Sequence, residues 1–533
     1  MYMNKFLIFS ALFLASCGTT KILKPTPVAT YAPTDIQSEY LYSSTLYGAD
    51  DAGPNANIAV LLPMNGSSKD VGNNIKTSIE TAFLRKPKQN IRVSFYDLSG
   101  EKSDRNAAIR DVINTNPDII IGPLFADDAN TLRDEKPSKT PVISFTSDIN
   151  ALGDNVITMN LIPTQSIESI IKQMQTDGAK NVLILAPDDK SGKLMASTAS
   201  KVASAYDIQI NGLFYYKSGN SDSIKDTSMR ASMYNARSSA NTRAREVLSD
   251  ILNKETLDGA TRSNLNNQLE KISRTETLGK LPYDAILFLG NGEDTKTIVS
   301  FLRYYGVGNR DAAIYGTTLW HGSDIASDFT LAGAKYATLP PISDNFINLY
   351  NMMGGKDPDY LAAFGYDAAN LALGMLYTNK SNDAYLFDPS GYAGTTGIFR
   401  IQPSGQSERA LRIMELNGDG TVKESKSAPT NFITQIYSIN TSDLRDVPER
   451  ELVTRGVNPG DYIKIPENLR YKSAYRTKTI GANYVSDEPE VLEPAPIQIY
   501  ASDEKETVSN DEFKPVKIES VSRKYIDSVE ILE

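Results

Sequence analysis

Apolar residues fall into two alternating patterns along most of the chain, and the alternation is the main structural signal. Ile58–Leu62 is an unbroken apolar run of strand length, and Val71, Ile75, Ile79, Ala82 and Phe83 then recur on one helical face. Strand Ile91–Tyr96, helix Arg105–Ile113 and strands Asp118–Ile121 and Pro141–Phe145 follow. Strands separated by helix-length amphipathic segments predict a parallel sheet with crossover helices. After Asn155–Asn160 the pattern restarts: Ile167, Ile170, Ile171 and Met174 share a helical face, and Asn181–Ala186 is the next strand. Helix Lys190–Tyr206, strands Ile208–Tyr215 and Ala285–Leu289, helix Asp294–Tyr305 and strand Ala312–Tyr315 complete the second series.

Single cores seldom grow beyond roughly 250–300 residues, so two such series in 533 residues predict two α/β lobes with a cleft between them. Lobe one is expected over 57–160 and again over 338–409, and lobe two over 161–337 and 410–440. Between Lys217 and Pro282 a Ser/Asn/Arg-rich stretch with weak helical periodicity interrupts lobe two. It reads either as a helical excursion packed on that lobe or as a partner-binding surface. Arg237, Arg243, Arg245 and Arg274 carry the second reading, because arginine is enriched at protein interfaces. Residues 17–56 lack periodicity and suit a flexible tether. The acidic tail 441–533 reads as largely disordered.

The N-terminus adds a destination. Lys5, the apolar run Phe6–Phe13 and then Leu14-Ala15-Ser16-Cys17 read as an export signal over residues 1–16, with an apolar run far short of the roughly 20 residues that span a bilayer. Leu-Ala-Ser-Cys resembles the lipobox of bacterial lipoproteins, which implies acylation of Cys17 and membrane attachment through that lipid. An ordinary signal peptide holding a chance Cys is the other reading. Cys17 is the only Cys, so no disulfide can form within the chain. Gly18 rather than Asp after it implies, by the sorting rule of enterobacterial lipoproteins, passage to the outer membrane with the body facing the periplasm.

The segments Ile58-Ala-Val-Leu-Leu-Pro-Met-Asn-Gly66, Ile120-Ile-Gly-Pro-Leu124, Pro141-Val-Ile-Ser-Phe-Thr146, Phe364-Gly-Tyr-Asp-Ala-Ala369 and Gly394-Thr-Thr-Gly-Ile-Phe399 resemble, in order, the landmarks of the type I periplasmic binding proteins, the Leu/Ile/Val-binding group. The resemblance covers roughly Asn57 to Asn440. It implies two α/β lobes with parallel sheets flanked by helices, joined by crossing strands, and a site in the cleft. Within that group the chain is most similar to lipoproteins described as penicillin-binding protein activators, on its lipobox, its lobe-two insertion and an opening strand ending in Leu-Leu-Pro. Their best-studied members carry an additional N-terminal helical-repeat domain, which is not expected here because the tether leads directly into the first strand.

Sites in such a fold sit at the carboxyl ends of parallel strands, beside helix N-termini. That selects Asn65, Gly66, Ser67 and Ser68 after the first strand, Leu124 and Phe125 after the Ile-Gly-Pro strand, and Ser144, Thr146 and Ser147 after the next. In amino-acid-binding relatives the last two loops hold the ligand carboxylate. Phe125 and Phe145 add aromatic bulk there, which points to a ligand other than a free amino acid or to a partly filled cleft. Each hydroxyl can equally serve as a helix cap, and so can Asp367. Trp320 and His321 follow a lobe-two strand, as a packing pair or as a cleft edge.

Composition narrows the function. A net charge of −10 without a Lys/Arg cluster argues against nucleic acid. One His and one lipidated Cys cannot assemble a His/Cys zinc site, and neither a Gly-x-Ser-x-Gly elbow nor a Gly-x-x-x-x-Gly-Lys-Ser/Thr loop occurs. The expectation is a non-enzyme without cofactor or metal. It is either an activator of a peptidoglycan synthase of the penicillin-binding class, or a receptor passing an amino acid or small peptide from its cleft to an ABC permease.

Overall fold

A computed structural model describes residues 34–35, 56–84, 91–137, 139–377, 382–432, 446–452 and 459–470. The export signal, Cys17, most of the tether and the end of the tail lie outside the described residues. Among the described residues no helix is long and apolar enough to cross a membrane.

The first sheet has the order 91–97, 56–62, 119–121, 142–144, 156–158, and every pairing in it is parallel. Ile119–Ile121 and Val142–Ser144 are buried at every position, as strands covered on both faces must be. The second sheet runs 422–426, 412–416, 335–338, 313–316, 285–288, 181–187, 209–216. Its pairings are parallel from Lys335–Thr338 to Gln209–Tyr216, while Arg412–Leu416 and Val422–Lys426 add two antiparallel strands. A third, smaller sheet joins Thr34–Asp35, Tyr392–Gly394, Gly397–Ile401 and Ser407–Arg409. Thus Thr34–Asp35, inside the stretch read as tether, runs parallel to Tyr392–Ala393.

The two lobes open with the same local device. Gly72 lies in the helix Lys69–Leu84, where a Cβ would come 1.9 Å from the carbonyl oxygen of Pro63. Gly192 lies in the first turn of Lys190–Ala205, where a Cβ would come 2.0 Å from the carbonyl oxygen of Pro187. In both lobes a proline at or just after the end of the strand is pressed against the crossover helix, and only glycine permits that approach.

The chain passes between the lobes at Met159–Ile162, Leu339–Ser343 and Ala410–Leu411. The apolar core is continuous through these passages. One buried cluster includes Ile58, Phe145, Met159 and Phe364 on the first side, and Ile167, Val182, Tyr315 and Ile413 on the second. Each such fully buried side chain contributes about 1.5–3 kcal/mol relative to exposure.

The 217–282 insertion folds as three helices, Ser221–Ala231, Tyr234–Lys254 and Gly259–Ser273. The last two enclose their own cluster of Val247, Leu248, Ile251, Leu265 and Ile272, completed by Ile463 and Leu469. The tail expected to be largely disordered is therefore ordered over 446–452 and 459–470. Leu213 and Arg450 exchange backbone hydrogen bonds of 3.0 and 2.8 Å, and Leu452 packs against Gly212. A few apolar residues at wide spacing, each filling a gap left by another element, suffice to hold the segment without any periodicity of its own.

Candidate functional site

The loops after Ala56–Leu62, Ile119–Ile121 and Val142–Ser144 share one sheet edge because these strands are neighbours in a parallel sheet. The structure thus brings the selected loops together, but it uses several of their polar groups internally. Asn65 Nδ2 donates to Asp97 Oδ2 at 2.5 Å, and its backbone N–H donates to Ser99 Oγ at 2.8 Å. Asp97 also accepts from the N–H groups of Met64 and Ser99. Burial works to raise the Asp97 pKa, but these hydrogen bonds from Ser99, Asn65 and Met64 outweigh it and hold the carboxylate below its ordinary value.

Ser144 is buried, with its hydroxyl donating to the carbonyl of Ile157 at 2.7 Å. Thr146 is buried as well and accepts from the N–H of Asp148. Phe145 belongs to the central core rather than to the cleft, correcting the aromatic role expected of it, because strand alternation turns it inward beside Met159. Ser67, Ser147 and Phe125 face solvent, Phe125 at 42% exposure, while Ser68 and Leu124 are half-buried.

Asp367 is corrected more fully. It neither opens its helix nor reaches the cleft: it sits within Tyr360–Tyr377 at 2% exposure. Its carboxylate accepts from the N–H of Thr395 at 2.9 Å and from the Thr395 hydroxyl at 3.1 Å. Arg409, 4% exposed, lies beside it with Nη1 4.0 Å from Oδ2. The guanidinium donates to the carbonyl of Met159 through Nε at 3.2 Å and Nη2 at 2.6 Å, and to Thr396 Oγ1 at 3.2 Å. It also stacks 3.8 Å from the Phe364 ring centre and 5.0 Å from that of Phe399. Arg409 therefore ties the first interlobe passage to the last. Burial pushes the Asp367 pKa up to about 6 although Arg409 pulls it down, and burial lowers that of Arg409 to about 10. No sequence signal marks Arg409; only the apolar company of Asp367 in Phe-Gly-Tyr-Asp hints that this acid is interior.

The aromatic column continues toward the cleft. Phe364 stacks on Tyr360 at 6.3 Å, and the Tyr360 ring meets His321 of lobe two at 5.4 Å. The Tyr360 hydroxyl donates to the carbonyl of Pro340, in the second passage, at 3.3 Å. Burial, and secondarily Arg412, lowers the His321 pKa. Trp320 packs in the lobe-two core between Phe288 and Tyr336, while its neighbour Leu319 is 41% exposed. Among the described residues no group of three or more His, Cys, Asp or Glu is placed to hold a metal ion.

In the insertion, Arg237 is buried and donates to the carbonyls of Ser232, Gly279 and Gly306 at 3.2, 3.3 and 3.1 Å. It is a strut rather than a docking residue. Arg274 is exposed and pairs with Glu270, Arg243 is half-buried, and Arg245 is exposed.

Two lobes, one on a parallel and one on a mixed sheet, joined by three passages, with loops gathered at the carboxyl edge, define the two-lobed periplasmic-binding-protein fold. Residues 55–229 match the family model described as periplasmic binding protein. No curated protein matches the sequence. Among solved structures, a branched-chain amino acid ABC transporter protein from Rhodospirillum rubrum is similar at 16% identity with a TM-score of 0.51, over 69% of this chain and 99% of that one. The C-domain of LpoA from Haemophilus influenzae, a regulator of PBP1A, is 17% identical with a TM-score of 0.46, over 69% and 99% of the two chains. A leucine-binding protein LivK from Thermotoga maritima is 17% identical with a TM-score of 0.41, over 70% and 98%. At these identities the likeness concerns the fold alone.

Proposed function

We propose that this chain is a non-catalytic periplasmic lipoprotein that acts by contacting a protein partner, and that the partner is a peptidoglycan synthase of the penicillin-binding class. The observation carrying the reading is the internal use of three polar side chains of these loops: the Ser144 hydroxyl donates to the carbonyl of Ile157, the Thr146 hydroxyl accepts from the N–H of Asp148, and the Asn65 amide donates to Asp97. A receptor for a free amino acid needs such groups facing its ligand, since a buried carboxylate left without donors is strongly disfavoured. The Arg409 tie between the passages and the Tyr360–His321 contact further favour a fixed scaffold over lobes that close on a solute. The three-helix insertion offers a surface for the partner.

The test is peptidoglycan synthesis by purified cognate synthases with and without the soluble chain starting after Cys17. Stimulation is expected; unchanged synthesis with every cognate synthase would overturn the reading. The alternative is a solute receptor for an amino acid or small peptide, and it draws support from Ser67, Ser147 and Phe125 remaining open at the cleft. A thermal-shift screen over amino acids and peptidoglycan fragments separates the two, because a tight ligand raises the melting point by mass action. A flat screen is expected. The anchor belongs to the same proposal: acylation of Cys17 would hold the chain at the outer membrane. A fatty-acid probe should label the wild type and leave Cys17→Ser unlabelled; retained label would refute the assignment.

A further inference from the structure

Away from the cleft, a groove of about 170 Å³ lies where the helix Pro163–Thr176 faces the turn Gln402–Gln406 and the segment 426–432. From these walls we propose that the groove is a binding site for a neutral saccharide, one sugar ring at a time, seated across the hinge.

Four amide side chains line it: Gln165, Gln402, Gln406 and Asn431. An amide donates and accepts at once, which matches a sugar hydroxyl that does the same. Among the described residues the side chains of Gln406 and Asn431 have no hydrogen-bond partner, and Gln165 uses only its oxygen, accepting from the N–H of Arg409 at 3.2 Å. Phe432 supplies a flat apolar wall, with the Arg400 guanidinium 4.6 Å from its ring centre. An aromatic face beside directed polar groups is the usual way a pocket orients a polar, ring-shaped ligand.

Most of the charged groups in the groove are already matched, and Lys426 stands at its solvent-exposed edge without an ion pair among the described residues. Lys172 Nζ lies 3.4 Å from Glu168, and Glu408 accepts from Arg400 at 2.6 Å and from Gln402 at 3.0 Å. Little charge is left over to demand an ionic ligand. Burial raises the Glu168 pKa although Lys172 opposes it, and Glu408 raises it further.

The inference is independent of the synthase reading, since a failed synthesis assay leaves the groove chemistry unchanged. Saturation-transfer NMR on the full chain, with glucose and N-acetylglucosamine as probes and alanylalanine as a zwitterionic control, tests it. Transfer to a sugar and none to the dipeptide is expected, with affinity near the millimolar range typical of shallow sites. The double variant Gln406→Ala, Asn431→Ala should weaken that binding at least tenfold without moving the melting point, because neither side chain supports the fold. Co-sedimentation with insoluble peptidoglycan then separates polymer-borne sugar from free sugar as the source. Transfer to neither sugar, transfer only to the dipeptide, or full affinity in the double variant would each overturn the proposal.

Discussion

Arg409 and Asp367 form a costly contact, since two charges are removed from water with their nearest atoms 4.0 Å apart. The Met159 carbonyl, Thr396 and two aromatic faces compensate the guanidinium, while Thr395 compensates the carboxylate. Removing one partner strands the other, so Arg409→Met should destabilise the fold by about 3–5 kcal/mol in denaturant titrations. The pH dependence has a definite sign. Burial raises the Asp367 pKa from the ordinary 3.8 to about 6, so the folded state holds this proton more tightly than the unfolded one. Its contribution is fully present below 3.8 and is lost as the pH rises to about 6. Asp367→Asn deletes that titration. The stability difference between wild type and variant should therefore change only within this window and be level on either side. A difference varying mainly above pH 7 would contradict the assignment.

Among the elements, the strands and helices of both lobes lie where the apolar pattern places them, because covered parallel strands need continuous runs such as Ile119–Ile121 and their helices need one apolar face. The insertion was legible as helical at Val247, Ile251 and Leu265, whereas the segment 459–470, whose Ile463 and Leu469 complete its cluster, was not. Their partners come from a distant part of the chain, and nothing local encodes them. The same limit applied to the site. Its loops were legible, but the direction of each hydroxyl was not, since Ser144 and Ser147 differ only in which way the strand and turn face them. The insertion arginines give a measurable contrast. Arg237→Ala would leave three carbonyls without their donor and should cost about 3 kcal/mol or more. Arg245→Glu, on the exposed face, should stay within roughly 0.5 kcal/mol. Thermal melts of the two single variants check this, and equal losses would mean that burial does not distinguish them.

At the scale of the whole molecule, two lobes of this size would ordinarily unfold as separate units. Here one apolar cluster runs from Ile58 and Phe145 through Met159 and Phe364 to Ile167, Val182 and Ile413, so neither lobe can open its inner face without exposing the other's. The Tyr360–His321 contact and the Arg409 tie act at the same junction. Calorimetry should accordingly show both lobes melting in one transition. Phe364→Ala offers the sharper test, because its ring packs in that shared cluster and carries the Arg409 guanidinium on its face. Truncation of a buried phenylalanine costs about 3–5 kcal/mol. If the lobes are coupled, that loss lowers the melting of both together. Two resolved transitions, of which Phe364→Ala moves only one, would show instead that the lobes are independent and that the hinge is free to move.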